Sequence, residues 1–403
     1  MSDAERLTAA DMDAFEAACH LAFHEVAHPA DIAMYQRVTD PERTVGVRED
    51  GELVATGCVL RRELTVPSGT LPVAGVSGIG VVPGHTRRGH LTKVMRILLD
   101  DAREAGEPVA ALWASEGEIY GRFGFGIATR ALRYDLQIDR VALRRDVAPP
   151  EAPPAVLTPA AALERIRPVF DRVRTTVPGM LDRGGAWWDK RIHDPEHDRN
   201  GAGPLRAAVQ PGPDGAPAGY ALFAGKSGWD DHGPAGSVVL RELVAETPEA
   251  RAGLWRFLLG LDLVRTLQWR LGPDHDPFTH LVAGNDAVNR RAGDGLFVRL
   301  LDVDAALSAR SYATDVDLVL EVDDPYCPWN SGRHRLRDGR CTPTEDAADV
   351  ALGAEALGSI YLGGTPLTAL AGAGRVRELR PGALLEAATA FRSAVEPWCP
   401  EIF

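Results

Sequence analysis

Val76-Ser-Gly-Ile-Gly-Val-Val-Pro-Gly-His-Thr-Arg-Arg-Gly-His-Leu91 runs from an apolar strand through a basic, glycine-bounded turn into a helix. The strand signal is the apolar run Val73 to Val82. The helix signal is Leu91, Val94, Met95, Leu98 and Ala102, which recur at three and four residues. Between them, Gly84 and Gly89 bound a turn carrying Arg87 and Arg88. Free amides at a helix N-terminus attract anions, the arginines add charge, and Gly89 lets the backbone come close to a ligand. Two nucleotide loops are excluded by spacing. A Walker loop requires Lys and Ser or Thr after its second glycine, where this chain has His90 and Leu91, and a GxGxxG fingerprint is absent. What remains is a pyrophosphate loop consistent with coenzyme A, with a basic solvated turn as the plain alternative.

Outward from this unit, Thr8 is a candidate helix cap with Asp11 at the third position beyond it. Leu53 to Leu60 and Val109 to Trp113 read as strands, so residues 1–148 form an α+β, mixed α/β unit. Pro149, Pro150, Pro153 and Pro154 then mark a linker, because such a run lacks amide donors and has restricted angles. Residues 155–295 repeat a strand–helix order. Gly219 to Ala224 and Ser237 to Leu243 are strands, and Thr247-Pro248 caps a helix with Leu254, Phe257, Leu258 and Leu261 on one face. The glycine turn is missing there, which suggests a duplicated fold that lost its anion loop. Leu163 to Val173 reads as a helix that Pro168 kinks or splits. Residues 296–403 read as a small α+β domain, with a strand at Asp317 to Val322, a short apolar segment at Ile360 to Leu362 and a helix at Pro381 to Phe391. The ending Trp398-Cys-Pro-Glu-Ile-Phe403 is apolar enough to predict a docked tail, with Ile402 and Phe403 both held.

The chain has 403 residues, more than one core usually fills, so two or three domains are expected. Its formal net charge of -13 disfavours nucleic acid as a partner and suits a cationic substrate, with the ordinary acidity of soluble proteins as the plain alternative. Five scattered cysteines form no CxxC, so neither a disulfide scaffold nor a cysteine metal cluster is expected, and no metal site is assigned. No apolar run is long enough to span a bilayer and the start lacks a signal-peptide core, so a cytoplasmic protein without membrane association is expected. Ala114-Ser-Glu-Gly-Glu-Ile-Tyr-Gly-Arg-Phe-Gly-Phe-Gly126 is the second notable stretch. Tyr120 carries a phenol suited to protonating a leaving group, although a tyrosine between glycines is more often structural.

Together with Leu318-Val-Leu-Glu-Val-Asp-Asp-Pro-Tyr-Cys-Pro-Trp-Asn330 and the region from Gly372 to Phe403, these two stretches resemble the enhanced-intracellular-survival (Eis) acetyltransferases of the GNAT superfamily. The resemblance implies an N-terminal GNAT domain, a central degenerate GNAT-like domain and a C-terminal sterol-carrier-like domain. It implies acetyl-CoA as cosubstrate, lying along Ile79, Gly80, Val81 and Val82. The pyrophosphate would meet Arg87, Arg88, Gly89 and His90, and Ser115 and Glu116 would complete the cofactor contacts. Thr86 and Leu91 depart from the usual superfamily loop. The resemblance further implies Tyr120 as general acid, the carboxylate of Phe403 as base and a homohexamer. The Val81 amide is our candidate for polarising the thioester carbonyl. Glu401 is read either as an acid that attracts the substrate ammonium or as a plain surface residue. The expected acceptor is a primary amine on a small molecule or peptide: an aminoglycoside, a polyamine or a lysine side chain. The alternative from another class is a lipid or apolar-ligand carrier using the third domain.

Overall fold

Two long antiparallel strands, Glu52–Val66 and Gly69–Val81, are the spine of the first sheet in the computed structural model, which describes residues 3–403. In chain order the strands of this part are β1 (Ala4–Arg6), β2 (Thr44–Glu49), β3 (Glu52–Val66), β4 (Gly69–Val81), β5 (Val109–Trp113) and β6 (Gly126–Ile127). The helices are α1 (Met12–Phe23), α2 (Pro29–Gln36) and α3 (His90–Glu104). The strands lie in the order β1-β2-β3-β4-β5, then Leu296–Leu300, then β6. β4 and β5 run parallel, with α3 as the crossover between them. α3 forms where the apolar period predicted it, and Val94, Met95, Leu98 and Leu99 are fully buried. Each such side chain contributes about 1.5–3 kcal/mol. Gly57 in β3 makes room for the helix, since a β-carbon there would stand 2.7 Å from a Val94 methyl. At the start of α1, the Asp11 carboxylate accepts from both the amide (2.9 Å) and the hydroxyl (2.8 Å) of Thr8.

A second seven-stranded sheet repeats the plan. Arg206–Pro211, Pro217–Lys226 and Gly236–Ala245 run antiparallel, helix Pro248–Leu259 crosses over, and Val264–Gly272 returns parallel to Gly236–Ala245. Thr247 caps the crossover helix by accepting from the Ala250 amide at 3.1 Å. Only Glu246 and Thr247 separate strand from helix here, so this repeat has no counterpart of the loop after β4.

Each repeat lends a strand to the other. β7 (Arg130–Gln137) follows the first repeat, yet pairs with Val264–Gly272 and Val288–Asp294 in the second sheet. Leu296–Leu300 follows the second repeat, yet pairs with β5 and β6 in the first sheet. The two connections meet at Thr129, whose hydroxyl accepts from the Leu296 amide at 2.8 Å. The sections drawn in sequence at 148 and 296 therefore differ from sheet membership at β7 and at Leu296–Leu300. Alternating apolar residues mark a strand, but they do not name its neighbours.

The last section is a five-stranded sheet with helices packed on it. Helix Ala354–Ile360 lies directly on the first sheet: a β-carbon at Gly126 would stand 1.9 Å from the Glu355 carbonyl, and one at Gly358 would stand 2.1 Å from the Val298 carbonyl. Ile360, read as part of a separate apolar segment, ends this helix. α4 (Pro159–Arg174) runs unbroken through Pro168, so the proline does not split it, and α5 (Gly185–Ile192) follows. Among the described residues, no helix is long and apolar enough to cross a membrane.

Gly126→Ala should cost about 1–3 kcal/mol or more, because backbone rather than a flexible side chain must move. Denaturant unfolding would show a lower midpoint. An unchanged midpoint would contradict the close packing of the third section on the first sheet.

Candidate active site

β4 and β5 pair at Val73–Gly75 with Val109–Ala111 and then part. The register of β4 against β3 shifts opposite Thr56 and Cys58, where Gly78 has φ +60 and its carbonyl accepts from the Thr56 hydroxyl at 2.8 Å. A residue with a β-carbon is strained at that φ, which explains the glycine. The Val82 amide donates to the Val54 carbonyl at 2.9 Å. Antiparallel pairs alternate between bonded and non-bonded, so at the neighbouring Ala55–Val81 pair the Val81 amide points away from β3, toward the open side.

A cleft of about 1380 Å³ occupies this opening. The expected site residues line it, except Val82 and Arg88. Val82 spends its amide on β3 and packs near the Phe15–Leu53 cluster. The two arginines separate. Arg87, at φ +63, lines the cleft, while Arg88 donates to the Gly84 carbonyl (2.7 Å) and to Glu49 (3.0 Å). Glu49 also meets His85 at 2.8 Å and lies 3.2 Å from buried His90. The His85 bond, with Arg88 and the other histidine, outweighs burial and holds the Glu49 carboxyl below its usual range. Gly89, at φ +85, caps α3 and leaves the first helix amides facing the loop.

Tyr120 is brought to the cleft by a tight turn. The Phe123 and Phe125 amides both donate to its carbonyl (3.0 and 3.3 Å), Gly124 takes φ +81, and Phe123 and Phe125 anchor the turn in the core. Buried Arg299 donates to the Phe123 carbonyl and forms a two-pronged pair with Asp324 at 2.9 and 2.8 Å. Asp324 in turn accepts from the Cys327 amide (2.9 Å) and the Asn330 side chain (3.1 Å). The stretch from Leu318 to Asn330 thus fastens the turn from beneath. Burial, with Glu116 adding, pushes the Tyr120 phenol up to about 12. It stays protonated at neutral pH.

The tail arrives from the third section. Trp398 donates its amide to Pro178 (2.8 Å) and its indole N–H to Leu271 (2.7 Å). Glu401 is neither a groove acid nor a surface residue. It is buried, bonded to Arg62 at 2.9 Å and to Arg183, while Arg183 also grips Glu242 at 2.9 and 2.6 Å. Tyr220 and Arg191 complete the group around Glu242, at 2.6 and 2.9 Å. Burial raises the Glu401 pKa, but Arg183, Arg62 and Arg191 together outweigh it and bring the value to about 2. Ile402, expected to dock, is 57% exposed, because alternation turns Phe403 inward and Ile402 out. The Phe403 ring packs over Gly75, 3.2 Å from where a β-carbon would be.

The reading of the sequence missed the far wall, where α1 contributes Glu16, Cys19 and His20, the segment after it Glu25, α2 Tyr35 and α5 Lys190. Glu16 did leave a signal: an acid on the helix face that also carries Met12, Phe15 and Cys19. Burial raises its carboxyl above the usual range, with His20 opposing. Burial pushes the Cys19 thiol up to about 12, so the cleft offers no ready thiolate there.

The Glu401 network makes a signed stability claim. Its carboxyl falls from an unfolded value of about 4.3 to about 2 in the fold. The stabilisation, about 3 kcal/mol, is therefore full above pH ~4.5 and fades as pH falls toward ~2. Glu401→Gln should melt well below the wild type at pH 5 to 8, with the gap closing in acid. A gap independent of pH down to ~2.5, or none at neutral pH, would contradict the network.

The acetyltransferase (GNAT) domain family matches residues 3–128 and, through a second family of the same description, residues 179–324; the sterol carrier protein domain matches residues 303–400. An uncharacterized N-acetyltransferase of Streptomyces avermitilis is 44% identical over 92% of this chain and 91% of its own length. N-acetyltransferase Eis of Mycobacterium tuberculosis is 33% identical over 93% of this chain and 92% of its own. The crystal structure of Eis1 from Mycobacterium abscessus superposes with a TM-score of 0.86 at 32% identity, covering all of both chains. The chain belongs to the Eis-like branch of the GNAT superfamily, the acetyl-CoA-dependent N-acetyltransferases.

Proposed function

We propose that the acceptor is a primary amine of a cationic molecule, such as an aminoglycoside, a polyamine or a lysine side chain, with Tyr120 as general acid and the Phe403 carboxylate as base. One observation carries this reading: a phenol from the first section and the tail of the third reach a single cleft beside the open edge of β4. Acetyl-CoA supplies the activated acetyl group as a thioester. The chain's groups suit it. The open β4 edge at Ile79 to Val81 offers unpaired backbone, the loop offers Gly89, the free helix amides and Arg87 for the pyrophosphate, and Ser115 and Glu116 stand opposite. Arg88 serves by fixing the loop through Gly84 and Glu49, with His90 beneath.

An amine attacks a carbonyl only as the neutral base, while an ordinary lysine-type ammonium has a pKa near ~10.4. Glu16, Glu25 and Glu116 give the cleft acidic groups to draw a cation in. The residue-403 carboxylate, ordinarily near ~3.5, takes the proton directly or through a water, and drying of the cleft strengthens it as a base. The Val81 amide, which faces away from β3 toward the open side, is our candidate for stabilising charge on the carbonyl oxygen. Tyr120, protonated at working pH, gives its proton to the leaving sulfur. The sterol-carrier-like section serves this chemistry by delivering the tail. Five buried free cysteines suit a reducing compartment, in keeping with a cytoplasmic location.

A short extension beyond Phe403 should displace the carboxylate, and Tyr120→Phe should remove the acid. Each should lower kcat/KM for an amine acceptor by roughly 10²-fold or more, with acetyl-CoA affinity nearly unchanged by calorimetry. A fully active extended chain would overturn the carboxylate's role alone. The family likeness also supports a homohexamer, and exposed apolar side chains such as Leu385 and Val395 leave surface for subunit contacts. Sedimentation should give the hexamer mass; a monomer at micromolar concentration would contradict it.

A further inference from the structure

α5 carries Lys190 to the wall of the cleft, where its Nζ donates to the Ile402 carbonyl at 3.1 Å. That carbonyl belongs to the peptide bond just before Phe403, so the amine stands one residue from the carboxylate assigned as base. The aromatic rings of Tyr35 and Trp187 each lie 5.2 Å from Nζ. Glu401, the acid that acts on the ammonium, is already held by Arg62 and Arg183.

We propose that Lys190 is a self-acetylation site, its Nζ taking an acetyl group from acetyl-CoA bound in the same chain. The proposal rests on the roles given above to Tyr120 and Phe403. The reaction has what an amine acceptor requires. Burial lowers the Lys190 pKa to about 8, with Glu401 opposing and Arg62 and Arg191 adding to the fall. About a tenth of the side chain is then neutral at pH 7, against well under ~0.1% for an ordinary lysine. The N–C bond forms at Nζ as the C–S bond of the thioester breaks. One nitrogen proton passes to the Phe403 carboxylate and the Tyr120 proton goes to the departing sulfur, giving acetyl-Lys190 and CoA thiol.

The sequence supplies internal controls. It contains three lysines, and the other two stand elsewhere: Lys93 pairs with Asp3 at 3.3 Å, and exposed Lys226 donates to the Asn200 carbonyl at 2.9 Å. Neither lines the cleft.

The test is to incubate the full chain with acetyl-CoA alone, following intact mass and peptide maps, with spermidine turnover measured in parallel. One acetyl group should appear on Lys190, at a rate independent of protein concentration and roughly 10²-fold slower in Tyr120→Phe. Lys190→Arg should gain no such mass, and retained acetyl-CoA binding would show that both variants are folded. Turnover of spermidine with Lys190 unmodified would overturn the proposal and leave the acetyltransfer reading standing. Acetylation of Lys190 no faster than that of Lys93 and Lys226, or equally fast in Tyr120→Phe, would mark it as chemical modification and overturn self-catalysis. Failure of both spermidine and Lys190 to take acetyl, with acetyl-CoA binding retained, would overturn the proposal and remove this polyamine from the acceptors.

Discussion

Glu401 has almost no access to water and sits between two fully buried guanidinium groups, Arg62 of the first sheet and Arg183 of the central section. Burying such charges costs several kcal/mol each unless every one is paired. Here the pairing spans three sections of the chain: Arg62 with Asp182 and Glu401, and Arg183 with Glu401 and Glu242. Glu401 is paired only when the tail lies between Arg62 and Arg183, so its burial favours one position for the tail. That position carries residue 403 into a cleft built by residues far away in sequence. A single aromatic anchor would hold the ring of Phe403, but its carboxylate would be left free to swing.

The exchange of strands acts toward the same end. With β7 in the second sheet and Leu296–Leu300 in the first, neither repeat completes its sheet alone, so their relative placement is set by hydrogen-bonded ladders rather than by a linker. Arg299, on the lent strand, then fixes the Tyr120 turn from below while holding Asp324 of the third section. Tyr120 and the tail are thereby held by two separate buried ion-pair groups. Gly126 and Gly358 allow this by letting backbone meet backbone where the third section lies on the first sheet.

What the sequence made legible was local. The strand, loop and helix from Val73 to Ala102 were readable because a glycine turn and a 3.6-residue period are written into adjacent residues. The Thr247 cap and the strand at Val109–Trp113 were readable for the same reason. The resemblance supplied Tyr120 and the tail, which composition does not single out. Contacts at long range left no mark. Nothing adjacent to Glu401 in sequence announces Arg62 or Arg183, and nothing near Lys190 announces the Ile402 carbonyl. The two arginines of the loop look alike on paper, and Glu49, far upstream, together with the Gly84 carbonyl draws Arg88 off the cleft. Ile402 and Phe403 likewise look equally apolar, and their alternation decides which one is inside.

The proposed role of the buried network is to position the terminal carboxylate for chemistry. The most direct measurement is the single-turnover rate of acetyl transfer by Glu401→Gln, taken below its melting temperature and with saturating acetyl-CoA. A tail freed from Arg62 and Arg183 should transfer acetyl roughly 10²-fold more slowly while binding acetyl-CoA as before. Transfer at the wild-type rate by a folded Glu401→Gln would show that the network stabilises the fold without placing the carboxylate, and would contradict the account.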